Sequence, residues 1–340
     1  MNKLCLLPLM ITFLGTQAGV AAEIDSVTPR RIKLENSVQA INEIIDQRIQ
    51  QGVNNANTYR EYIEEIDEYL DKDYSCDEDV LYAELRKSVF QSYTVAWGLK
   101  GYALDLQLRG LLSAQSYSLP LNDSIYRDID YLEGFSLRLK ELSDVVNIDG
   151  HLVGLDKIGH FFAEGWQYFE LTRYEVQSLE QAIEWGRQQE EGKYGYVTTG
   201  IFSYADLVAN LNGWRFWNRV LLNEADPLKS WLSRLFDRPY ISCDIQIIES
   251  IKKLKVIKAW EYNNRFDLSA YVDGAWDESN NCNSYADPII ENKVMTRIKS
   301  VDADFSCPYE PAECVQAREK YDRYAKYILH PYCLIAGETD

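Results

Sequence analysis

The chain has no apolar run long enough to act as a permanent membrane span, no C-x-x-C pair and no internal repeat. Through residue 240 it also has almost no strand pattern. A bilayer span needs roughly 18 or more consecutive apolar residues. The stretch from Leu4 to Leu14 is too short, so no transmembrane segment is expected in the mature chain. Closely paired cysteines are the mark of structural zinc sites; without them, zinc held by thiolates is not expected. Bases are also scarce, with 35 Lys and Arg against 53 Asp and Glu. A field of that sign repels nucleic acid and anionic membrane surfaces, so neither is an expected partner.

What the chain does have begins with Lys3, the apolar run and the small residues Ala18 to Ala22, the layout of a secretory signal peptide. Cleavage is expected after Ala22, giving a periplasmic or secreted protein. Cys5 lies inside the apolar run, so it is not placed to become a lipidated N-terminus. Loss of Lys3 with the signal leaves 34 bases against 53 acids, a net charge of −19 on an acidic protein. Six cysteines remain, Cys76, Cys243, Cys282, Cys307, Cys314 and Cys333, and an oxidising compartment makes three disulfides the default. Sequence does not choose among the pairings, although "CPYEPAEC" brackets a short loop that could close on itself. The 318 residues from 23 onward, with 8 Trp, 24 Tyr and 11 Phe in the whole chain, can bury one large domain or one and a half.

Helical periodicity dominates the first two thirds. "NSVQAINEIIDQRIQQ" carries apolar residues at helical spacing, then "GVNNAN" reads as a breaker before "TYREYIEEIDEYL", so two antiparallel helices are expected. A third helix is expected from about Glu78 into "DLQL", another over "YLEGFSLRLKELSDVV", and one over 176–191 ending at the turn "GKYGYVTTG". After Pro239 the texture changes: five of the six remaining cysteines and the turn-forming "DGAWDESNNCNSYADP" fall there. The fold class is therefore mainly α, a bundle-like helical domain over 23–238. Residues 239–340 form a loop-rich, disulfide-stapled region packed on it and placed to cap a site.

Two polar stripes stand out. In "GLDKIGHFFAEG", Asp156, His160, Glu164 and then Gln167 share one helix face, with Phe161, Phe162, Trp166 and Phe169 largely on the other. In "FSYADLVANLNGWRFW", Asp206, Asn210, Gly213 and Trp217 recur at four, three and four residues. Gly213, opposite Gly159 and Gly165, removes the bulk that would keep two helices apart, so the stripes are expected to face each other. A buried carboxylate or imidazole needs a partner, and each stripe can answer the other. The bland alternatives are specific. Ser203 with Asp206 matches the S-x-x-D capping box, Asp156 is a first-turn acid that favours the helix dipole, and the whole set can be a satisfied internal network.

As chemistry, His160 with Asp156 or Glu164 is a candidate acid/base pair, with Lys157, Asn210 and Ser203 as candidate substrate-binding residues. Asp156 and Glu164 lie ~12 Å apart along the helix at 1.5 Å per residue, too far for both to reach one ion. A divalent metal, the candidate cofactor, would instead be held by His160 and Asp206 with help from the second stripe.

The same residues carry a resemblance. "DKIGHF" (156–161), an acid at Glu190 or Glu191, and "SYADLVANLNG" (203–213) resemble the D-K-x-x-H-F … E … S-x-x-D-x-x-A-N-x-x-G pattern of bacterial envelope proteins similar to VanZ and to the YfiM-like periplasmic lipoproteins. It covers about 60 of 340 residues. The resemblance implies a helical envelope protein and marks Asp156, Lys157, His160, Asp206 and Asn210 as its polar positions. The chain departs from it in its length, its cysteine-bearing C-terminus and its lack of spans. Two functions are expected to compete: an exported hydrolase acting on a lipid-linked or cell-envelope substrate, and a non-catalytic binding or structural protein with a buried polar network. Lipid or glycan of the envelope is the candidate partner in either case.

Overall fold

A computed structural model describes residues 23–66, 76–91, 93–94, 100–101, 103–139, 141–192, 194–250 and 253–337. The expected signal peptide lies outside these residues. The chain is mainly α, built around one long crossing of two helices.

The first helix, α1, runs unbroken over Val38–Ile66 and passes straight through the expected breaker "GVNNAN". The reason is packing rather than propensity. A Cβ on Gly52 would meet Ser88 Oγ at 2.5 Å and Leu85 Cα at 3.0 Å, so this glycine lets the next helix approach closely. Val53 and Ala56 continue the buried stripe. The asparagines are used as well: Gln50 and Gln51 donate to Asn54 and Asn55 one turn on, and Asn57 exchanges two hydrogen bonds with the Trp260 backbone.

The expected third helix is broken into α2 (Glu78–Arg86), a π turn at Lys87–Gln91, the short strands β1 (Tyr93–Thr94) and β2 (Lys100–Gly101), and α3 (Ala103–Leu111). Among the described residues of "YLEGFSLRLKELSDVV", only α4, Phe135–Leu139, is helical. The end of that segment is instead β3, Val145–Ile148, which pairs with β4, His151–Gly154, across the two-residue loop Asp149–Gly150. Both loop residues have positive φ, 52° and 99°, the geometry that favours Asp-Gly in a tight hairpin. This hairpin delivers the chain into α5, Leu155–Arg173, whose first amides donate to Asp144 O and Ser143 Oγ.

Then follow α6 (Leu179–Glu191, capped by a Ser178/Gln181 capping box), β5 (Ile201–Phe202), α7 (Tyr204–Leu221) and α8 (Trp231–Arg234). Every residue of α7 from Tyr204 to Asn218 is buried, so this helix is the axis of the molecule.

The region after Pro239 is more regular than its composition suggests. It opens with a ten-on-ten hairpin, β6 (Ile241–Ser250) with β7 (Lys253–Tyr262). After β8 (Ser284–Tyr285), which pairs with β5, it ends in α9 (Pro288–Val301), α10 (Pro311–Tyr321), α11 (Ala325–Ile328) and α12 (Pro331–Ile335). Three disulfides staple it: Cys76–Cys243, Cys282–Cys307 and Cys314–Cys333. The loop bracketed by Cys307 and Cys314 therefore does not close on itself; each cysteine reaches a more distant partner.

"DGAWDESNN" is interior rather than a surface loop. Trp276, Ser279 and Asn281 are fully buried, and the Asn281 side-chain amide donates to the carbonyls of Ala275 and Ile328. One continuous apolar core includes Phe161, Phe216 and Trp217 together with Tyr240, Phe266, Trp276 and Tyr321, so it crosses position 238 without interruption. A second cluster gathers Val27, Ile125, Ile201, Ile298 and Phe305. Among the described residues, no helix is long and apolar enough to cross a membrane.

Candidate functional site

The two stripes face each other. Where α5 crosses α7, a Cβ on Gly165 would lie 2.5 Å from Gly213 Cα, and one on Gly213 would lie 1.8 Å from Phe161 O. Gly165 is thus a partner of Gly213 at the crossing. Backbones this close leave no room for a methyl group, and that approach brings the polar faces into register. Trp217, on the same stripe of α7, donates its indole N–H to Phe162 O at 3.0 Å.

On the N-terminal side of the crossing, His160 lies between two residues of α7. Its Nδ1 is 3.2 Å from Asn210 Oδ1 and its Nε2 is 3.3 Å from Asp206 Oδ2. Glu164 Oε2 stands further off, 3.8 Å from Nδ1. Gln167 turns away and donates to Glu170. Lys157, wholly buried, is ringed by three carboxylates: Asp206 at 2.5 Å, Glu278 at 2.6 Å and Asp156 at 2.8 Å. Ser203 caps α7 by accepting from the Asp206 amide and donates its own hydroxyl to Glu278 at 3.1 Å. Asp156, Lys157, His160, Ser203, Asp206 and Asn210 therefore all meet at one place.

Residues that sequence reasoning missed complete the cluster. Glu278, from the buried "DGAWDESNN" segment, is held by Lys157, Ser203 and Asn283. Glu23 enters from the start of the described chain, where its carbonyl accepts from the Ser143 amide. Of Glu190 and Glu191, Glu190, in the last turn of α6, is 2% exposed and joins the cluster, whereas Glu191 faces solvent. A signal for Glu190 was available in the three-residue stripe Ile183, Gly186, Glu190 on the inner face of α6. Nothing in the turn-rich composition around Glu278 marked it as interior.

These groups are enclosed rather than open to solvent. His160 is 5% exposed, Asp206 4% and Asn210 2%. Gly165 and Gly213 seal the seam on one side, and the 270–283 segment covers it on another.

Burial sets the electrostatics. It penalises charge on Lys157, but Asp156, Asp206 and Glu278 outweigh the penalty and hold the ammonium well above its ordinary value. Burial likewise opposes the His160 imidazolium and is outweighed by Asp206 and Glu164, so its pKa is raised. Asp206 is lowered: burial would raise it, but His160 and Lys157 prevail. The outer carboxylates go the other way. Burial, helped by Asp206 and Glu23, lifts Glu190 well above the carboxylate range. Burial lifts Glu278 and Asp156 as well, and pushes Glu23 up to about 8 with help from Glu278 and Asp206. Burial thus shifts the surrounding carboxyls toward their protonated forms, while the opposite charges at the centre hold Lys157 and Asp206 toward their ionised ones.

A cavity of about 140 Å³ reaches this cluster from the second apolar core. Glu278 lies in its wall, with Tyr126, Ile298 and Phe305 among the other lining residues. No protein-family model, curated protein or solved structure matches this chain.

Proposed function

We propose that the protein is an exported, non-catalytic binding protein of the cell envelope. In this reading the α5–α7 cluster is an internal ionic network, and the ligand enters the cavity beside Glu278. The carrying observation is the engagement and burial of His160. An acid/base histidine needs a ring nitrogen free to meet its substrate, yet Nδ1 faces Asn210 and Nε2 faces Asp206. Lys157, expected to neutralise a substrate anion, is spent on three internal carboxylates.

The cavity supplies the binding side. Its volume of about 140 Å³ is near the roughly 150 Å³ that admits a benzene-sized group. Val27, Ile125, Ile298 and Phe305 offer apolar contact, while Ser26, Glu278, Asn283, Glu291 and His330 offer polar contact. That lining suits the end of an acyl chain better than a whole sugar. The envelope assignment rests on the expected signal peptide, the three disulfides and the VanZ-like and YfiM-like motif pattern.

Binding of a fluorescent fatty-acyl probe tests the proposal: wild-type protein should bind it saturably, and Ile298→Trp, which fills the cavity, should abolish binding. Absence of saturable binding would overturn the proposal. Turnover of a lipid-linked substrate that is lost in a folded His160→Gln variant would restore the hydrolase in its place.

A further inference from the structure

We infer that His160, Glu190 and Asp206 form a site for one divalent cation, enclosed where α5, α6 and α7 meet. One nitrogen of His160 and one carboxylate oxygen from each acid all lie within 4.8 Å of one another, and all three residues are buried. The inference is independent of the cavity and its ligand.

Three observations carry it. The first is spacing. His160 Nε2 and Asp206 Oδ2 are 3.3 Å apart, close to the ~3.4 Å edge of a tetrahedron drawn with Zn–N and Zn–O bonds of about 2.0–2.2 Å. The second is tautomer. Asn210 Oδ1 can only accept, so the His160 Nδ1 that faces it carries the hydrogen. Nε2, the nitrogen left for a ligand, faces the Asp206 carboxylate, and a cation bound there would take the place of its proton. A ligating histidine whose other nitrogen donates to an oxygen is the usual outer-shell arrangement at metal centres. The third is an orphan. Glu190 Oε1 is buried with no hydrogen-bond partner in the protein, although it sits on a carboxylate only 2% exposed. An acceptor in that position costs free energy unless something positive meets it.

The neighbouring carboxylates sharpen the assignment. Asp156, Asp206 and Glu278 also converge within 4.8 Å, but the Lys157 ammonium lies within 2.8 Å of each, so that space already holds its cation. On the other side the His160 imidazole meets Asp206 and Glu190, with Glu164 3.8 Å from its Nδ1. Asp206 would then bridge the two centres, with Oδ1 toward Lys157 and Oδ2 toward the metal. One imidazole and two carboxylates suit Zn²⁺ or Mn²⁺. The metal would tie the end of α6 to the α5–α7 crossing, an internal clamp rather than a reaction centre.

The test uses the full-length mature protein stripped with dipicolinate and titrated calorimetrically with Zn²⁺ and, separately, Mn²⁺. The expected result is one ion per chain for at least one metal, with affinity falling by more than about 100-fold in both Glu190→Gln and His160→Gln. Binding that survives both substitutions places the ion elsewhere and overturns the site. No binding of either metal to folded apoprotein also overturns it, leaving a proton as the occupant. Should the variants fail to fold, X-ray absorption on the metal-loaded wild type decides: one imidazole with oxygen ligands is expected, and a shell without histidine contradicts the site. The acyl-probe assay is a separate readout, so failure here leaves the binding role untouched.

Discussion

Replacing Lys157 with Met removes the one ammonium shared by three buried carboxylates while keeping most of the side-chain volume. In the wild type the Nζ is 2.5 Å from Asp206, 2.6 Å from Glu278 and 2.8 Å from Asp156, with no exposed surface. Breaking a buried ion pair by deleting one partner costs about 3–5 kcal/mol, because the other charge stays buried and uncompensated. Unfolding entropy of ~2.1 cal/mol/K per residue makes 1 kcal/mol worth roughly 1.5 °C for a chain of this length, so Tm should fall by about 4–8 °C.

The loss should also depend on pH. Burial already raises Asp156 and Glu278, and removing Lys157 removes the main influence that lowers them. A carboxyl whose pKa is higher folded than unfolded contributes stability that is complete below the unfolded value and is lost as pH rises through the folded one. Lys157→Met should therefore be hurt more at pH 8 than at pH 5. Calorimetric melts at both pH values check this. Adding Glu278→Gln to Lys157→Met should recover part of the loss, since one orphaned charge then disappears. A Tm within about 1 °C of wild type at both pH values would refute the reasoning, because no buried ion pair of this kind is lost so cheaply.

Other outcomes follow from the same structure. Gly213→Ala places a methyl group 1.8 Å from Phe161 O, against backbone that cannot step aside, so it should cost at least the 1–3 kcal/mol typical of overpacking; a chemical denaturation curve reads it. Glu23, pushed up to about 8, contributes stability that is complete below its unfolded value near 4.5 and is lost as pH rises toward 8. Glu23→Gln should accordingly raise Tm at pH 8 relative to wild type and leave it unchanged at pH 4. Thiol titration of the unfolded, unreduced chain from residue 23 onward should find no free cysteine, since all six of its cysteines pair. The Cys76→Ala/Cys243→Ala variant, which opens a closure spanning 167 residues, should lose about 2–5 kcal/mol by the same denaturation measurement.

The crossing of α5 and α7 was legible in the sequence because it obeys local rules: polar residues at helical spacing, glycine where backbones touch, and a stripe on each helix that needs an answer. Asp156, His160, Asp206 and Asn210 lie on those stripes, whereas Ser203 is marked by its S-x-x-D spacing and Lys157 by the motif resemblance. What escaped depends on contacts distant in sequence. "GVNNAN" looks like a breaker locally, yet Gly52 faces Leu85 and Ser88, and Asn57 pairs with Trp260, over 200 residues away. The Asp149–Gly150 hairpin follows a local rule, Asp-Gly in a two-residue turn, inside a segment whose apolar spacing also fits a helix. The β6–β7 hairpin was hidden by composition, its lysines and acids standing where a loop was expected. Glu278 belongs to a segment whose Asp, Ser and Asn content mimics a surface loop. Those polar groups are instead consumed by internal hydrogen bonds, such as Asn281 to Ala275 and Ile328, and only the folded chain supplies the partners.

The most direct measurement of the closed ionic network is lysine acetylation of the native protein, followed by peptide mass spectrometry. Lys157 is completely buried and bound by three carboxylates, whereas Lys33 is exposed. The account predicts rapid labelling of Lys33 and none at Lys157 until the protein is unfolded. Labelling of Lys157 in the native state at a rate comparable to Lys33 would show a cluster open to solvent and would contradict it.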